Sequence, residues 1–266
     1  MNDWKRYFAE LLNVKSNTSQ TTQIIPPADK DLPINTGPIT INEVQQAIKQ
    51  LKNGKSPVVD DIGTPDVLKY GGDWIAHKLC NICNEIFENQ ATPKQFNTNI
   101  IIPIPKKGDK ALMSNYRGIS LMSVATKTYN RILLNRIREP LDSILRTNQT
   151  GFRKGRSCID QIHTIRRILE GAVDKQLPIY ITFIDFKKAV DSIERKTMFD
   201  ILRHYGIPMK MVKAIQTIYN NSRSAVLVDG QLTEEFDVTT DVLQGDTLAP
   251  LLFIIVIDYV MKNAEI

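Results

Sequence analysis

The stretch FIDFKKAVDSIERK, residues 183–196, decides the fold class. Just upstream, IYITFID (179–185) is β-branched and aromatic, the composition of a buried strand, and it delivers Asp185 to the strand end. Downstream, Asp191 and Glu194 stand at capping spacing for a helix that Gly206 and Pro208 close. That spacing favours a structural role for Asp191 over a catalytic one. From Pro208 a further helix puts Met211, Val212, Ile215, Ile218 and Tyr219 on one side. Asp229-Gly230 inside SAVLVDGQLTEEFDV is a tight-hairpin signal, and DVLQGDTLAPLLFIIVIDYVMK is a polar loop feeding an apolar helix. Strand, helices, hairpin and helix make an α+β layer.

Toward the N-terminus the pattern is more helical. Residues 1–38 read as a short amphipathic helix and a polar, proline-containing linker, SNTSQTTQIIPPADKDLP, attached to the rest. Thr40 and Glu43 form a capping box for a helix whose Ile41, Val44, Ile48 and Leu51 share a face before Gly54. A second helix is expected over 74–90. NIIIPIPKKGDK then reads as a strand entering a basic turn, SNYRGISL as its partner, and 123–139 as a helix.

Composition narrows the function classes. The chain has 266 residues, 42% hydrophobic and 24% charged, enough for one or two cored domains. Its start lacks the layout of a signal peptide, and LLFIIVI (251–257) is too short to span a bilayer, so a soluble, intracellular protein without a membrane partner is expected. Three cysteines indicate no disulfide framework. His77, Cys80 and Cys83 share a helix face, where packing is a better reading than zinc. The net charge is +5, yet residues 101–170 hold 14 Lys and Arg against 5 Asp and Glu, a local +9 that leaves −4 for the remainder. A basic block beside an acidic remainder points to a polyanion held by one part and acted on by another, or to a solvated basic face.

Five segments, IPIPKKGD (102–109), NYRGISL (115–121), QTGFRKGRS (149–157), FIDFKKAVD (183–191) and LQGDTLAPLLF (243–253), resemble in order and spacing the motifs of a non-LTR (LINE-type) retrotransposon reverse transcriptase. The resemblance runs from about residue 40 to the last residue. It implies a right-hand polymerase: fingers over 39–178 and a partial palm over 179–266, with the reverse transcriptase domain at roughly 95–266. By resemblance, Asp185 and the carbonyl of Phe186 would ligate Mg²⁺, one of two ions in the complete enzyme. Lys106 or Lys107 together with Arg117 would grip the incoming triphosphate, Arg117 by pairing two phosphate oxygens at once. Gly151, Phe152, Arg153 and Arg156 would touch template backbone, and Gln244-Gly245 would lie beside the nucleotide sugar and templating pair. Implied partners are an RNA template, a DNA primer and deoxynucleoside triphosphates.

Departures from the family pattern are Val190, where a Phe or Tyr ring usually excludes a 2′-hydroxyl, and Val58, Asp241 and Leu243, where Gly, Gly and a basic residue are usual. The family's later Ala-Asp-Asp hairpin is not found; Asp60-Asp61 matches a different motif. The expectation is therefore a fingers and partial-palm fragment without a thumb, inactive alone. A non-catalytic nucleic-acid-binding remnant is the main alternative, and an RNA-templated RNA polymerase a weaker one.

Overall fold

The structure, a computed structural model, describes residues 2–13, 24–53, 64–186, 193–220, 222–239 and 245–264. In chain order these form α1 (Asn2–Leu11), α2 (Ile41–Lys49), α3 (Pro65–Tyr70), α4 (Gly72–Asn89), the short α5 (Lys94–Asn97), β1 (Thr98–Pro105), β2 (Tyr116–Leu121), α6 (Val124–Asp142), α7 (Cys158–Asp174), α8 (Arg195–His204), α9 (Met209–Tyr219), β3 (Arg223–Val228), β4 (Gln231–Leu232), β5 (Phe236–Asp237) and α10 (Ala249–Ala264). The fold is α+β around a mixed sheet ordered β2-β1-β3-β4, with β5 also on β3. β1 runs antiparallel to β2 and parallel to β3, so residues 98–105 and 223–228 share one sheet.

Local chemistry explains most of these elements. The Thr40 hydroxyl accepts the Glu43 N–H while the Glu43 carboxylate accepts the Thr40 N–H, so both halves of the capping box form. Val44, Ala47 and Ile48 are buried on the α2 face. Ser123 caps α6 through the Thr126 N–H, and α9 follows Pro208 and buries Met211, Val212, Ile215, Ile218 and Tyr219. Asp229 and Gly230 both take positive φ, 49° and 78°, the conformation a two-residue hairpin needs, between β3 and β4. Cys83 lies in the core beneath α4, and the Cys80 thiol donates to the Ile39 carbonyl.

The N-terminal segment is packed, not appended. Trp4 meets Tyr116 edge-on with centroids 4.8 Å apart, Phe8 is fully buried, and Asn13 bonds the Asp237 carbonyl and both donors of Thr239. A Cβ at Gly118 would stand 2.6 Å from Phe8 Cε1, so β2 makes room for α1 by omitting a side chain. Gly118→Ala should cost about 1–3 kcal/mol by overpacking. Calorimetry checks this, together with faster hydrogen exchange in α1; an unshifted melting temperature would mean that α1 does not depend on β2.

The proline-containing stretch 24–40 is a strap between helices. Its Ala28 and Leu32 N–H groups donate to the Arg203 and Gly206 carbonyls, and Asp31 pairs with Arg203 at 2.9 Å. At its other end the carbonyls of Asn35, Gly37 and Pro38 accept from Arg136 of α6, which also pairs bidentately with Glu43. Burial alone would raise the Glu43 carboxyl, but Arg136 and the Thr40 cap outweigh it and hold it below the usual range. The sequence marked this segment as a linker because none of these bonds is local.

One expected element is missing: residues 177–186 are irregular, where a strand was anticipated over 179–185. Tyr180 and Phe183 are 95% and 85% exposed, and no described strand lies alongside. β-propensity reflects packing on a pleated surface, and a strand without a ladder gains none of it. α7 shares this exposure, with Ile159, Ile162, Ile168 and Val173 facing solvent.

Candidate nucleotide and nucleic-acid interface

β2 carries its two faces to different partners. Gly118 points to Phe8 and Ile101 beneath α1, so its neighbours Arg117 and Ile119 point to the opposite face. Arg117 pairs in register with Ile104, and the Lys106 N–H extends the ladder by bonding the Asn115 carbonyl, which brings Lys106 to the Arg117 side. Both cations are exposed, and Arg117 makes no ion pair among the described residues. The turn between them is built rather than loose. Asp109 accepts the Ala111 N–H, Asn115 donates to the Asp109 carbonyl, and the Tyr116 hydroxyl donates to the Lys110 carbonyl. The ammonium of Lys106 reaches the Ser114 carbonyl at 3.4 Å, while Lys107 stays exposed.

Gly245 closes on this same face. Its φ is +117°, and a Cβ there would lie 2.3 Å from the Ser120 carbonyl oxygen and 3.6 Å from Ile119 Cγ2. Only glycine allows that approach. The structure thus sets Gly245 against the strand that carries Arg117, although the two stand far apart in the sequence. Gln244, Val190 and Asp191 lie outside the described residues, as do Val58, Asp241 and Leu243.

The GFRKGRS turn is organised by a residue expected at its surface. Arg153 has a side chain only 3% exposed, paired with Asp142 at 2.7 Å, and it donates to the carbonyls of Asp142, Arg146 and Gln149. Four of its five N–H donors are engaged by α6 and by the residues leading into the turn, and its side chain is turned away from solvent. This buried fork presents what surrounds it: Phe152 at φ +57°, Lys154 and Arg156 are exposed, and Arg156 donates to the Thr147 carbonyl at 3.2 Å while its charge helps lower the Asp142 carboxyl. Gly151 is half-buried beside Gln149. Lys154 was not singled out from the sequence, because nothing local distinguishes it from Arg153.

The +9 of residues 101–170 therefore overstates the accessible cation. Arg136, Arg146 and Arg153 sit in ion pairs with Glu43, Asp258 and Asp142, and Arg166 and Arg167 both pair with Glu170. Lys106, Lys107, Lys110 and Arg117 on the β1–β2 hairpin, and Lys154 and Arg156 in the GFRKGRS turn, are exposed cations.

Asp185 and Phe186 lie in the irregular stretch with exposed side chains. No group of three His, Cys, Asp or Glu able to hold a metal occurs among the described residues. Asp185 and the Phe186 carbonyl are two hard oxygens in that stretch, fewer than a two-metal centre takes.

Asp258 of α10 is fully buried, accepting from Arg146 at 3.0 Å, Tyr205 at 2.6 Å and Lys262 at 2.9 Å. Burial raises its carboxyl, but these donors outweigh burial and hold it below the usual range. A carboxyl depressed by folding contributes stability above its unfolded value, about 3.9, and loses it as pH falls through the folded value. Urea unfolding between pH 3 and 7 should therefore show stability falling below about pH 4, with Asp258→Asn flattening that fall. An identical pH profile in the variant would remove Asp258 from the account.

No described helix is long and apolar enough to cross a membrane. The model of the family described as reverse transcriptase (RNA-dependent DNA polymerase) matches residues 104–265. The chain is 25% identical over 221 residues to the transposon TX1 uncharacterized 149 kDa protein of Xenopus laevis, covering 83% of this chain and 17% of that protein. It is 30% identical over 183 residues to a retrovirus-related Pol polyprotein from the type-1 retrotransposable element R2 of Nasonia vitripennis, covering 69% of this chain and 18% of that one. To the probable RNA-directed DNA polymerase from transposon BS of Drosophila melanogaster it is 29% identical over 230 residues, 85% of this chain and 25% of the other. The chain thus spans a quarter or less of each of these relatives.

Proposed function

Because the chain belongs to the reverse transcriptase family, as a reverse transcriptase domain of the non-LTR retrotransposon kind, we propose that it holds RNA template, DNA primer and deoxynucleoside triphosphate for RNA-directed DNA synthesis. In this reading residues 39–178 act as fingers and 179–266 as part of the palm. The observation that carries it is Arg117, without an ion pair among the described residues and exposed on the face where Gly245 meets β2. A planar guanidinium pairs two phosphate oxygens, Lys106 adds a point charge, and a residue without Cβ lets backbone approach a sugar. Lys154 and Arg156, with Gly151, serve the template backbone. Members of the family use divalent metal ions; Asp185 and the Phe186 carbonyl are the proposed Mg²⁺ ligands of this chain, and the ion would supply charge neutralisation at the transferred phosphoryl group.

The exposed, irregular setting of Asp185 favours a second reading, in which the 266-residue polypeptide binds primer–template without extending it. Two measurements on purified protein test both. Binding to an RNA–DNA primer–template at low salt should weaken steeply as salt rises; a folded chain without affinity would refute the proposed function. Primer extension with Mg²⁺ that Asp185→Asn abolishes supports polymerisation by this polypeptide, whereas retained binding with background extension supports the second reading.

A further inference from the structure

Asp246, the residue after Gly245, is a buried carboxylate that no role assigned above uses. It is 4% exposed and accepts from Asn130 Nδ2 at 2.6 Å, the Tyr219 hydroxyl at 2.7 Å and the Leu248 N–H at 3.1 Å. These donors come from three places: Asn130 from the middle of α6, Tyr219 from the last residue of α9, and Leu248 from the turn entering α10. Tyr219 is itself anchored, with the Arg195 guanidinium 5.4 Å from its ring centroid and donating to the carbonyls of Tyr219 and Val238. Burial raises the Asp246 carboxyl, while Tyr219, Leu248, Asn130 and the Thr247 backbone work against that rise.

A carboxylate enclosed this way costs several kcal/mol of desolvation, and an apolar side chain of similar volume often serves stability as well or better. What apolar packing lacks is direction. Three donors of fixed origin define where the carboxylate sits to within hydrogen-bond tolerance, and through one peptide unit they define where Gly245 sits. Gly245 in turn stands close against β2, where a Cβ would meet the Ser120 carbonyl oxygen at 2.3 Å.

We propose that Asp246 is a positioning residue for nucleotide binding: its carboxylate, held by Asn130 and Tyr219, locks Gly245 against β2 and thereby sets the gap between this loop and Arg117 in which a deoxynucleoside triphosphate sits. The nucleotide part rests on the function proposed above; the locking of Gly245 does not. The network also couples α6, on the proposed fingers side, to α9 and α10 on the palm side, so the gap is fixed by both.

The test combines hydrogen exchange with ligand binding on the whole chain. In Asp246→Ala, exchange at Gly245, Asp246, Thr247 and Leu248 should quicken by about tenfold or more, while α6 and α9 core amides stay within about twofold. Asp246→Asn, which keeps an acceptor for Asn130 and Leu248, should restore most of the protection. Should Asp246→Ala fail to fold, Tyr219→Phe removes one donor without emptying space and should give the same local effect, smaller. Unchanged exchange in the loop, or exchange quickened evenly through α6, α9 and α10, would overturn the locking role. With primer–template bound and Mg²⁺ present, Asp246→Ala should weaken a fluorescent deoxynucleoside triphosphate about tenfold, with primer–template affinity held. A loosened loop with unchanged nucleotide affinity would overturn the link to nucleotide. A wild-type chain unable to hold primer–template would overturn the proposed function instead and leave the locking role to the exchange result.

Discussion

Replacing Arg136 by alanine should lower the unfolding free energy by about 3–5 kcal/mol, among the largest single-residue effects expected here. The guanidinium side chain is 4% exposed and meets the Glu43 carboxylate through two of its nitrogens. It also serves the carbonyls of Asn35, Gly37 and Pro38, so truncation removes the charged partner of Glu43 and the Arg136 donor of three strap carbonyls at once. Glu43 is 26% exposed on its side chain and can recover some hydration, which sets the loss toward the lower end of that range. Removing both charges as Arg136→Met with Glu43→Leu should recover part of the loss. Recovery stays incomplete because Glu43 is also half of the α2 capping box, a contribution of about 1 kcal/mol. Urea denaturation of the two single variants and the double variant completes the cycle. A loss below about 1 kcal/mol for Arg136→Ala would mean that the strap does not hold α2, α6 and α8 together.

The second large effect separates two neighbouring arginines that look alike in the sequence. Arg153→Ala should cost about 2–4 kcal/mol, since four hydrogen bonds of a buried guanidinium are lost and the carbonyls of Asp142, Arg146 and Gln149 lose a donor. Below its melting transition, its affinity for primer–template should keep the wild-type dependence on salt. Arg156→Ala and Lys154→Ala should do the reverse: stability within about 0.5 kcal/mol, and the slope of log affinity against log salt shallower by roughly one unit for each lost contact. If Arg153→Ala flattened the salt slope and left stability intact, the turn would have to rearrange on binding nucleic acid so as to free that guanidinium.

Elements written in short-range chemistry were legible from the chain. Thr40 and Glu43 announce α2 because capping is settled within four residues, and Asp229-Gly230 announces a hairpin because positive φ is a property of the residues themselves. The family was legible too, since it rests on the order of five motifs. IYITFID misled for the complementary reason: its β-branched composition states a preference for a pleated, packed surface, and only a neighbouring strand supplies one. The strap at 24–40 misled likewise, as prolines and polar residues read as linker until the partners on α6 and α8 are in view.

The class of the protein, several of its helices, its hairpin and the candidate cations Lys106, Arg117 and Arg156 were readable from the chain alone, because they depend on residues close together or on motif order. Which cations are available follows from long-range packing. Arg153 and Arg136 are consumed in buried pairs whose acceptors lie on other turns and elements, and the charge of a residue says nothing about whether its partner is water or carboxylate. The tertiary structure also decided that Gly245 and Arg117, 128 positions apart, share one face of β2, and that Asp246 anchors that meeting. Long-range packing sets these relations, because a side chain's energy depends on what folding brings within hydrogen-bond reach of it and not on its neighbours in the chain.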